Sequence, residues 1–261
     1  MTLRAKIKND FIALRENLYY QETVLNHASF EDSYLAVRKK ENRLYPDDIV
    51  KVLPYYSGDA RLNEEWKVRQ RSLKSFLQYL NQTKPRKTIL ELGCGNGWFS
   101  NQLARHTSSE IVGVDINKTE IEQAARVFAD TSNVTFLLGD IMELSLFRNT
   151  FDLIILASSM QYFKEINSLV HQLLDMLSGN GEIHIIDSPV YANHKVSEAQ
   201  ERSDKYFKGF NSNLDAFYFH HTWSAFQEFN TVIQYKPSIF SPVWKKFGVR
   251  TLPFPWLIIR K

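Results

Sequence analysis

A glycine-rich run directly after a short apolar stretch constrains this chain more than any other feature. The apolar stretch is Thr88-Ile89-Leu90, and the run that follows it is Glu91-Leu92-Gly93-Cys94-Gly95-Asn96-Gly97. Glycines at alternate positions let the backbone take left-handed torsions and leave no Cβ between main chain and ligand. The pattern predicts a strand that enters a tight turn, with a helix to follow, and such turns commonly bind nucleotides.

Two residues in and after the turn indicate which ligand suits it. A dinucleotide pyrophosphate site has the spacing G-x-G-x-x-G, whose third glycine lets helix and strand pack closely. Gly93 and Gly95 fit this spacing, whereas Trp98 occupies the third position. The Glu91 carboxylate would also repel a phosphate and attract a cation. The turn therefore favours a ligand that carries an ammonium group over one that carries a pyrophosphate.

Three further apolar runs follow along the chain, at residues 110–115, 134–140 and 151–158. The first two end in acids, Asp115 and Asp140. Apolar strands that alternate with helices predict a parallel sheet with helices on both faces, in an α/β fold. Ligands of such sheets bind beyond the carboxyl ends of the strands, where a carboxylate can accept the hydroxyls of a ribose. The acids are therefore expected to converge with the glycine turn.

These stretches, in this order, resemble the class I S-adenosylmethionine-dependent methyltransferases, which have a Rossmann-like fold, and the resemblance covers residues 66–187. The matching stretches are ILELGCGNGWFS, GVDIN, LLGDIMEL, FDLIILASSMQYF and GNGEIHIIDSP. The resemblance implies S-adenosyl-L-methionine as the cofactor and S-adenosyl-L-homocysteine as the product. The residues that it implies for cofactor binding are Glu91, Gly93, Cys94, Gly95, Asn96, Gly97, Asp115, Ile116, Asp140, Ile141 and Ala157.

The same resemblance implies a role for several of these residues. Asp115 would bind the ribose hydroxyls, and Asp140 with the backbone of Ile141 would hold the adenine ring. The methionine part of the cofactor would lie against Glu91, Gly93, Gly95 and Ala157. Runs 231–235 and 256–259 are expected to pair as an antiparallel edge, as the last two strands of the family do. We therefore predict a seven-stranded mixed sheet.

The rest of the chain is interpreted as additions to this sheet. Residues 1–84 are expected to form a helical extension that covers the sheet, because Ile7, Phe11, Leu14 and Leu18 recur with helical spacing. Residues 85–261 would form the cofactor-binding domain, with an aromatic lid inserted at about 190–221. Helices are predicted at 98–105, 118–128, 166–177 and 222–229, the third closed by a turn at 178–181.

A few side chains outside the motifs are candidates for the site. Arg69 could pair with the methionine carboxylate, since a guanidinium matches a carboxylate bidentately, or it could lie on a solvated helix face. Tyr162, His220 and His221 are weak candidates for a catalytic role, and ordinary packing in the lid is an open alternative for all three. No metal site is expected, because adjacent histidines on a strand point to opposite faces.

The methyl acceptor is left open by the sequence, as are the general base and the oligomeric state. An oxygen, nitrogen or carbon nucleophile on a small molecule is favoured over DNA, because Ala157-Ser158-Ser159-Met160 replaces the Pro-Pro run typical of DNA amino methyltransferases. Cytosine C5 chemistry would need a cysteine nucleophile, and Cys94 lies in the turn instead. RNA and protein acceptors stay open.

The global composition favours an enzyme of the cytoplasm. The formal net charge of +3 is small and the basic residues are scattered, so nucleic acid is not demanded. Apolar segments are shorter than the roughly 20 residues that a membrane span needs, and the first residues carry mixed charge rather than a signal sequence. No membrane span is expected.

Two alternative functions come from other classes. One is an NAD(P)-dependent oxidoreductase on a similar sheet, which the turn and Asp115 favour and which Trp98 and Glu91 oppose. The other is a module that binds S-adenosylmethionine without turnover.

Overall fold

A single mixed β-sheet organises the computed structural model, which describes residues 3–20, 28–143, 147–210, 212–237 and 251–261. Within these ranges the sheet has nine strands in the order β1-β2-β5-β4-β3-β6-β7-β9-β8. The strands are β1 (Ile12–Arg15), β2 (Leu18–Tyr20), β3 (Thr88–Leu92), β4 (Glu110–Asp115), β5 (Val134–Leu138), β6 (Phe151–Ala157), β7 (Leu177–Ile186), β8 (Asn230–Tyr235) and β9 (Trp256–Arg260).

Helices cover both faces of this sheet. They are α1 (Leu3–Asp10), α2 (Ala28–Lys40), α3 (Asp47–Val52), α4 (Ala60–Gln82), α5 (Trp98–His106), α6 (Lys118–Val127), α7 (Ile166–Met176) and α8 (Val196–Lys208). Successive strand residues enter two different cores: Leu90 packs with residues of α1 and α7, whereas Ile89 packs with residues of α4, α5 and α6. The period-two alternation of the strands explains this division. The predicted α/β architecture with helices on both faces is confirmed.

The pairing of the strands also follows the expected pattern at the centre and at one edge. Strands β2, β5, β4, β3, β6 and β7 pair in parallel, and β9 pairs antiparallel with both β7 and β8. Along the chain, β3 leads outward to β4 and β5, and the chain then returns to the other side of β3 for β6 and β7. This reversal opens a crevice beyond the carboxyl ends of β3, β4 and β6, where ligands of open α/β sheets bind.

The strand count differs from the predicted seven because the N-terminal extension contributes two strands. The helical pattern ends early: α1 stops at Asp10, and Leu14 lies on the exposed strand β1. Leu18 is buried in β2, which pairs in parallel with β5. The free edge of β5 presents unpaired backbone groups, and β2 satisfies them. The prediction of helix was therefore wrong for the residues of β1 and β2, because pairing with a sheet edge leaves little trace in side-chain periodicity.

Two of the predicted local boundaries also need correction. The turn predicted at 178–181 lies within β7, whose pairing with β6 shifts register between Phe151 and Leu153. The helix predicted at 222–229 is a short 3-10 helix, Trp223–Phe226. The described part of the lid region at 190–221 contains α8 and two 3-10 helices, Asn193–Lys195 and Leu214–Phe217. Among the described residues, no helix is both long and apolar enough to span a membrane.

Gly97 lies where the turn after β3 leads into α5, and its environment generates a first prediction. Its φ is +73°, and a Cβ placed there would lie 2.7 Å from Ala124 Cβ and 2.8 Å from the Phe136 ring. We expect Gly97→Ala to lower the free energy of unfolding by about 2–4 kcal/mol, because left-handed strain adds to overpacking of the core. Urea denaturation measures this change.

Gly179 provides the matched control for this substitution. A Cβ at Gly179 would meet no atom within 4 Å. Gly179→Ala is expected to change the free energy of unfolding by less than about 0.5 kcal/mol. Equal stability of the two alanine variants would contradict the packing role of Gly97.

Candidate functional site

Three adjoining cavities lie at the carboxyl edge of the sheet. The strand-end cavity, about 400 Å³, lies beyond β3, β4 and β5 and includes Asp115 and Asp140 in its lining. The glycine-turn cavity, about 110 Å³, lies against the turn and is lined by Glu91, among others. The aromatic cavity, about 640 Å³, lies between α2, α8 and the end of β7. Ser158 lines all three cavities, so they form one continuous cleft.

The glycine turn approaches the end of β6 very closely. Gly93 has a φ of +73°, and a Cβ at this position would lie 2.4 Å from Ser159 Cβ. The amides of Gly93 and Cys94 both donate to the Val114 carbonyl, at 2.8 and 3.1 Å. The turn is thus held between β4 and β6, with its backbone at the floor of the cleft.

Asp115 joins the turn to the end of β4. Its Oδ2 accepts the Gly95 amide at 2.6 Å, and its Oδ1 accepts the Asn117 amide at 2.8 Å. Each carboxylate oxygen can accept two hydrogen bonds, so both retain capacity for a ligand hydroxyl. Asp115 therefore holds the loop in place and still presents acceptors to the strand-end cavity.

Three carboxyl groups in or near the turn have raised pKa values. Burial raises the pKa of Glu91 to about 8, although a hydrogen bond from the Ser100 hydroxyl opposes the shift. Burial likewise raises the pKa of Asp115 to about 6 and that of Glu120 to about 7. Asp115 further raises the other two, because like charges repel. Ionisation of these carboxyl groups is therefore disfavoured, and a cation beside them would favour their charged forms.

The cleft brings together most of the residues that the sequence singled out. In the strand-end cavity they are Gly93, Gly95, Asp115, Ile116, Asp140, Ile141 and Tyr162. In the glycine-turn cavity they are Arg69, Glu91, Gly93, Cys94, Gly95, Asn96 and Ala157. Gly97 lines none of the three cavities and packs against α6 and β5 instead.

The histidine candidates lie elsewhere. His220 and His221 line none of the three cavities. His220 Nε2 lies 2.9 Å from Ser203 Oγ, and burial lowers the pKa of both rings, which favours the neutral form. His220 also packs against the rings of Tyr191 and Tyr218, which supports the packing alternative for this residue. Within the described ranges, no group of three or more His, Cys, Asp or Glu residues is arranged to hold a metal ion.

Cys94 is a buried thiol in the turn. Burial raises its pKa well above the usual range, and the neighbouring Asp115 and Glu91 raise it further. A thiol with a raised pKa is a poor nucleophile, because the thiolate is the reactive form. The geometry therefore supports a packing role for this side chain.

Arg69, on α4, extends into the cleft from the N-terminal extension. Its Nη1 donates to Ser158 Oγ at 2.9 Å, and its guanidinium lies 5.3 Å from the centre of the Trp66 ring. Burial lowers the pKa of Arg69, and the charge of Asp187 partly offsets that effect. Among the described residues, no carboxylate forms an ion pair with Arg69, so its charge is available to an anionic ligand group.

Helix α2 and the lid complete the roof of the cleft. Phe30 and Tyr34 of α2 pack edge-on against Tyr162, and Phe217 of the lid packs edge-on against Phe30. Arg38 donates to the Tyr162 hydroxyl at 3.3 Å. The N-terminal extension and the lid thus meet over the strand-end cavity.

Some lining residues had no signal in the sequence pattern. Glu120 lies within the predicted helix 118–128, and Phe30 and Tyr34 lie in the N-terminal extension, all three outside the motifs. Each lines the strand-end cavity. Only the packing of α2 and α6 onto the strand ends brings these residues to the cleft, so no short motif could have revealed them.

Comparison with known proteins identifies a family. A family model described as a methyltransferase domain matches residues 83–235, more than half of the chain. The chain is 28% identical over 162 residues to a malonyl-[acyl-carrier protein] O-methyltransferase of Acetivibrio thermocellus, covering 59% of this chain and 56% of that protein. It is 23% identical over 153 residues to a sterol 24-C-methyltransferase of Yarrowia lipolytica, covering 57% and 38%.

The fold has solved counterparts as well. A geranyl diphosphate C-methyltransferase from Streptomyces coelicolor A3(2), crystallised with S-adenosyl-L-homocysteine, superposes with a TM-score of 0.58 at 14% identity. The superposition covers 81% of this chain and 82% of that one. The chain spans about half the length, or less, of the curated relatives above.

The raised pKa of Glu91 generates a prediction for stability. Since its pKa in the folded protein is about 8, the native state keeps a proton that the unfolded state loses above its ordinary pKa of 4.5. The free energy of unfolding should therefore fall as pH rises from about 5 to 8, by about 1.4 kcal/mol per pH unit from this group. Glu91→Gln should lack this pH dependence. Between pH 5 and pH 8, the free energy of unfolding of the variant should therefore rise by about 3 kcal/mol relative to that of wild type.

Urea denaturation of the ligand-free protein at several pH values measures this difference. Glu122→Gln, on the exposed side of α6, is the control and should follow the wild-type pH dependence. A stability difference between Glu91→Gln and wild type that is the same at pH 5 and pH 8 would contradict the raised pKa.

Proposed function

The chain belongs to the methyltransferase domain family, and on that premise we propose that it transfers a methyl group from S-adenosyl-L-methionine to a small-molecule acceptor. The observation that carries the proposal is the continuity of the cleft. A nucleotide-sized cavity at the strand ends joins a larger aromatic cavity at Ser158. The cofactor would occupy the first and the acceptor the second.

The nucleoside part of the cofactor is assigned to the strand-end cavity. Asp115 would accept the ribose hydroxyls with the oxygen lone pairs that the Gly95 and Asn117 amides leave free. Asp140, Ile116 and Ile141 line the same cavity and would enclose the adenine ring.

The methionine part is assigned to the glycine-turn cavity. Glu91, buried there with a raised pKa, would become ionised beside the cofactor ammonium, since an opposite charge favours the charged form. Gly93, Gly95, Asn96 and Ala157 would form the walls. Arg69 would pair with the methionine carboxylate, which supplies the anionic partner that its guanidinium lacks among the described residues.

The methyl group would then face the aromatic cavity at Ser158. A sulfonium methyl is already an electrophile with a good leaving group, so positioning of the acceptor supplies much of the rate acceleration. A cavity of about 640 Å³ has the size of pockets that bind small molecules. This size supports a small-molecule acceptor. The relatives named above act on different acceptors, so they leave its identity open.

The N-terminal extension, residues 1–84, and the lid at about 190–221 are assigned to enclosing the substrates. A cluster formed by Phe30, Val37, Phe207 and Leu214 joins α2 to the lid. Enclosure would exclude water from the reacting sulfonium and order the acceptor. The N-terminal extension would thus act together with the cofactor domain, residues 85–261, which includes the lid.

Asp115 generates the prediction that tests the cofactor assignment. We expect Asp115→Ala to weaken binding of S-adenosyl-L-homocysteine by about 1–3 kcal/mol, because the ribose hydroxyls lose buried partners. Isothermal titration calorimetry measures the affinity. Asp115→Asn, which keeps the size of the side chain but loses one of the two acceptors for the loop amides, should also bind more weakly.

Asp130→Ala is the matched control, because Asp130 is exposed and lies outside the three cavities. It should bind like wild type. Unchanged affinity in a folded Asp115 variant would refute the ribose assignment. Tight NAD binding without any response to S-adenosyl-L-homocysteine would refute the methyltransferase proposal and favour an oxidoreductase.

Turnover is tested by transfer of a labelled methyl group. The protein is incubated with methyl-labelled S-adenosyl-L-methionine and a metabolite extract, and labelled products are separated by chromatography. The proposal expects a labelled small molecule whose formation requires the protein. Cofactor binding without any labelled product, across extracts and a broad acceptor library, would instead support a module that binds without turnover.

A further inference from the structure

Two residues at neighbouring strand ends hold an unusual backbone conformation. Ser158 follows β6 with a φ of +60°, and Asp187 follows β7 with a φ of +52°. They are joined by hydrogen bonds, since the Ser158 amide donates to the Ile186 carbonyl at 3.0 Å and the Ser158 hydroxyl to the Asp187 carbonyl at 3.2 Å. Left-handed torsions outside glycine cost free energy and cluster at functional sites. This conformation places Asp187 in the lining of the aromatic cavity.

Asp187 differs from the other carboxylates of that cavity. Glu41 forms ion pairs with Arg38 and Arg43, both at 3.2 Å, and Glu65 pairs with Arg43 at 2.7 Å. Asp187 accepts a hydrogen bond from the Ser72 hydroxyl at 2.5 Å, and among the described residues it has no ion-pair partner. Burial raises its pKa, against the opposing effects of Ser72 and Arg69. Among the carboxylates that line this cavity, Asp187 is thus the one that can act as a proton acceptor for a ligand.

Gln161 adds a second unused acceptor in the same cavity. The residue is only 7% exposed, and its Nε2 donates to the Ser158 carbonyl at 2.6 Å. This bond identifies which end of the amide is the nitrogen, so the other atom is the oxygen. That oxygen, Oε1, is buried and has no hydrogen-bond partner among the residues that the structure describes. A buried polar atom without a partner is costly, and a ligand that donates a hydrogen bond would satisfy it.

We propose that the acceptor is an O–H or N–H nucleophile on a flat, apolar body, that Asp187 takes its proton, and that Gln161 Oε1 orients it. The inference rests on the proposed methyl transfer and specifies its substrate class. The ionised Asp187 carboxylate and Gln161 Oε1 can accept hydrogen bonds but cannot donate them. They therefore select a nucleophile that carries a hydrogen on its oxygen or nitrogen. Tyr162, Tyr191, Phe207 and Tyr218 line the cavity around them and suit a planar apolar body.

The reaction step balances with these groups alone. A lone pair of the acceptor oxygen or nitrogen forms a bond to the sulfonium methyl carbon while the carbon–sulfur bond breaks. The electron pair of that bond goes to sulfur, which becomes a neutral thioether. The proton of the acceptor goes to the Asp187 carboxylate and then to solvent. A carboxylate nucleophile fits poorly beside Asp187 and Gln161 once the Arg69 guanidinium of the same cavity is paired with the methionine carboxylate of the cofactor, because Asp187 would repel it and Gln161 Oε1 would receive no hydrogen.

Isothermal titration calorimetry with three probes of similar size tests whether the cavity prefers ligands that carry an N–H or O–H group over a carboxylate. Benzylamine, benzyl alcohol and benzoate are titrated into the protein, with and without saturating S-adenosyl-L-homocysteine. We expect benzylamine to bind at least about tenfold more tightly than benzoate, with benzyl alcohol between them. Asp187→Asn should lower benzylamine affinity about tenfold, because a hydrogen bond to a charged group is lost. Asparagine also tolerates the left-handed φ and can accept the Ser72 hydroxyl.

Asp175→Asn is the matched control, because it removes the same charge from an exposed site on α7, and it should leave all three affinities unchanged. Benzoate binding as tightly as benzylamine, an amine preference that survives Asp187→Asn, or no binding of any probe would each overturn the inference. A labelled product that is a methyl ester or a carbon-methylated compound would overturn it as well.

The proposed function fails separately. Lack of S-adenosyl-L-homocysteine binding would contradict methyl transfer, whereas the fall in benzylamine affinity from wild type to Asp187→Asn still measures the contribution of Asp187 without the nucleoside.

Discussion

The hydrogen bonds from the Gly95 and Asn117 amides to Asp115 hold the functional end of this molecule together. They tie the turn after β3 to the end of β4, at distances of 2.6 and 2.8 Å. The turn in turn presses against Ser159 at the end of β6, so three parallel strands share one rigid edge. All three cavities adjoin that edge, and a displaced turn would separate them. The cleft therefore depends on a carboxylate that both stabilises a loop and offers spare acceptors.

Ionisation of the carboxyl groups at the same edge is electrostatically unfavourable. Glu91, Asp115 and Glu120 have raised pKa values, since burial and mutual repulsion disfavour their ionised forms. Active sites often retain such unfavourable charge because it is relieved when ligand binds. The network around Glu182, at the far end of the sheet, shows the contrast. There Arg86 and Arg260 surround the carboxylate, hydrogen bonds hold its pKa near 2 despite burial, and the arrangement stabilises structure without offering a free group.

Much of the central fold could be predicted because its elements are encoded locally. The runs that form β3, β4, β5 and β6 are apolar, the first three end in a glycine turn or an acid, and α5, α6 and α7 start where the pattern places them. Strands β8 and β9 also pair as expected. Strands β1 and β2 could not be predicted, because pairing with the edge of β5 depends on a backbone more than a hundred residues away. The roles of Glu120, Phe30 and Tyr34 were hidden for the same reason.

The amino-acid sequence by itself determined the α/β architecture, the family resemblance and three of the acids that line the cleft, Glu91, Asp115 and Asp140, because these follow from local periodicity and from residues at strand ends. Only the tertiary structure decided how the N-terminal extension closes the sheet, that Gly97 packs while Gly93 and Gly95 face the cleft, and that Asp187 and Gln161 share the aromatic cavity with Arg69. Those relations join distant segments, and burial decides which groups have partners and which are free. The chemistry of a side chain is local, whereas its availability to a ligand is a property of the folded chain.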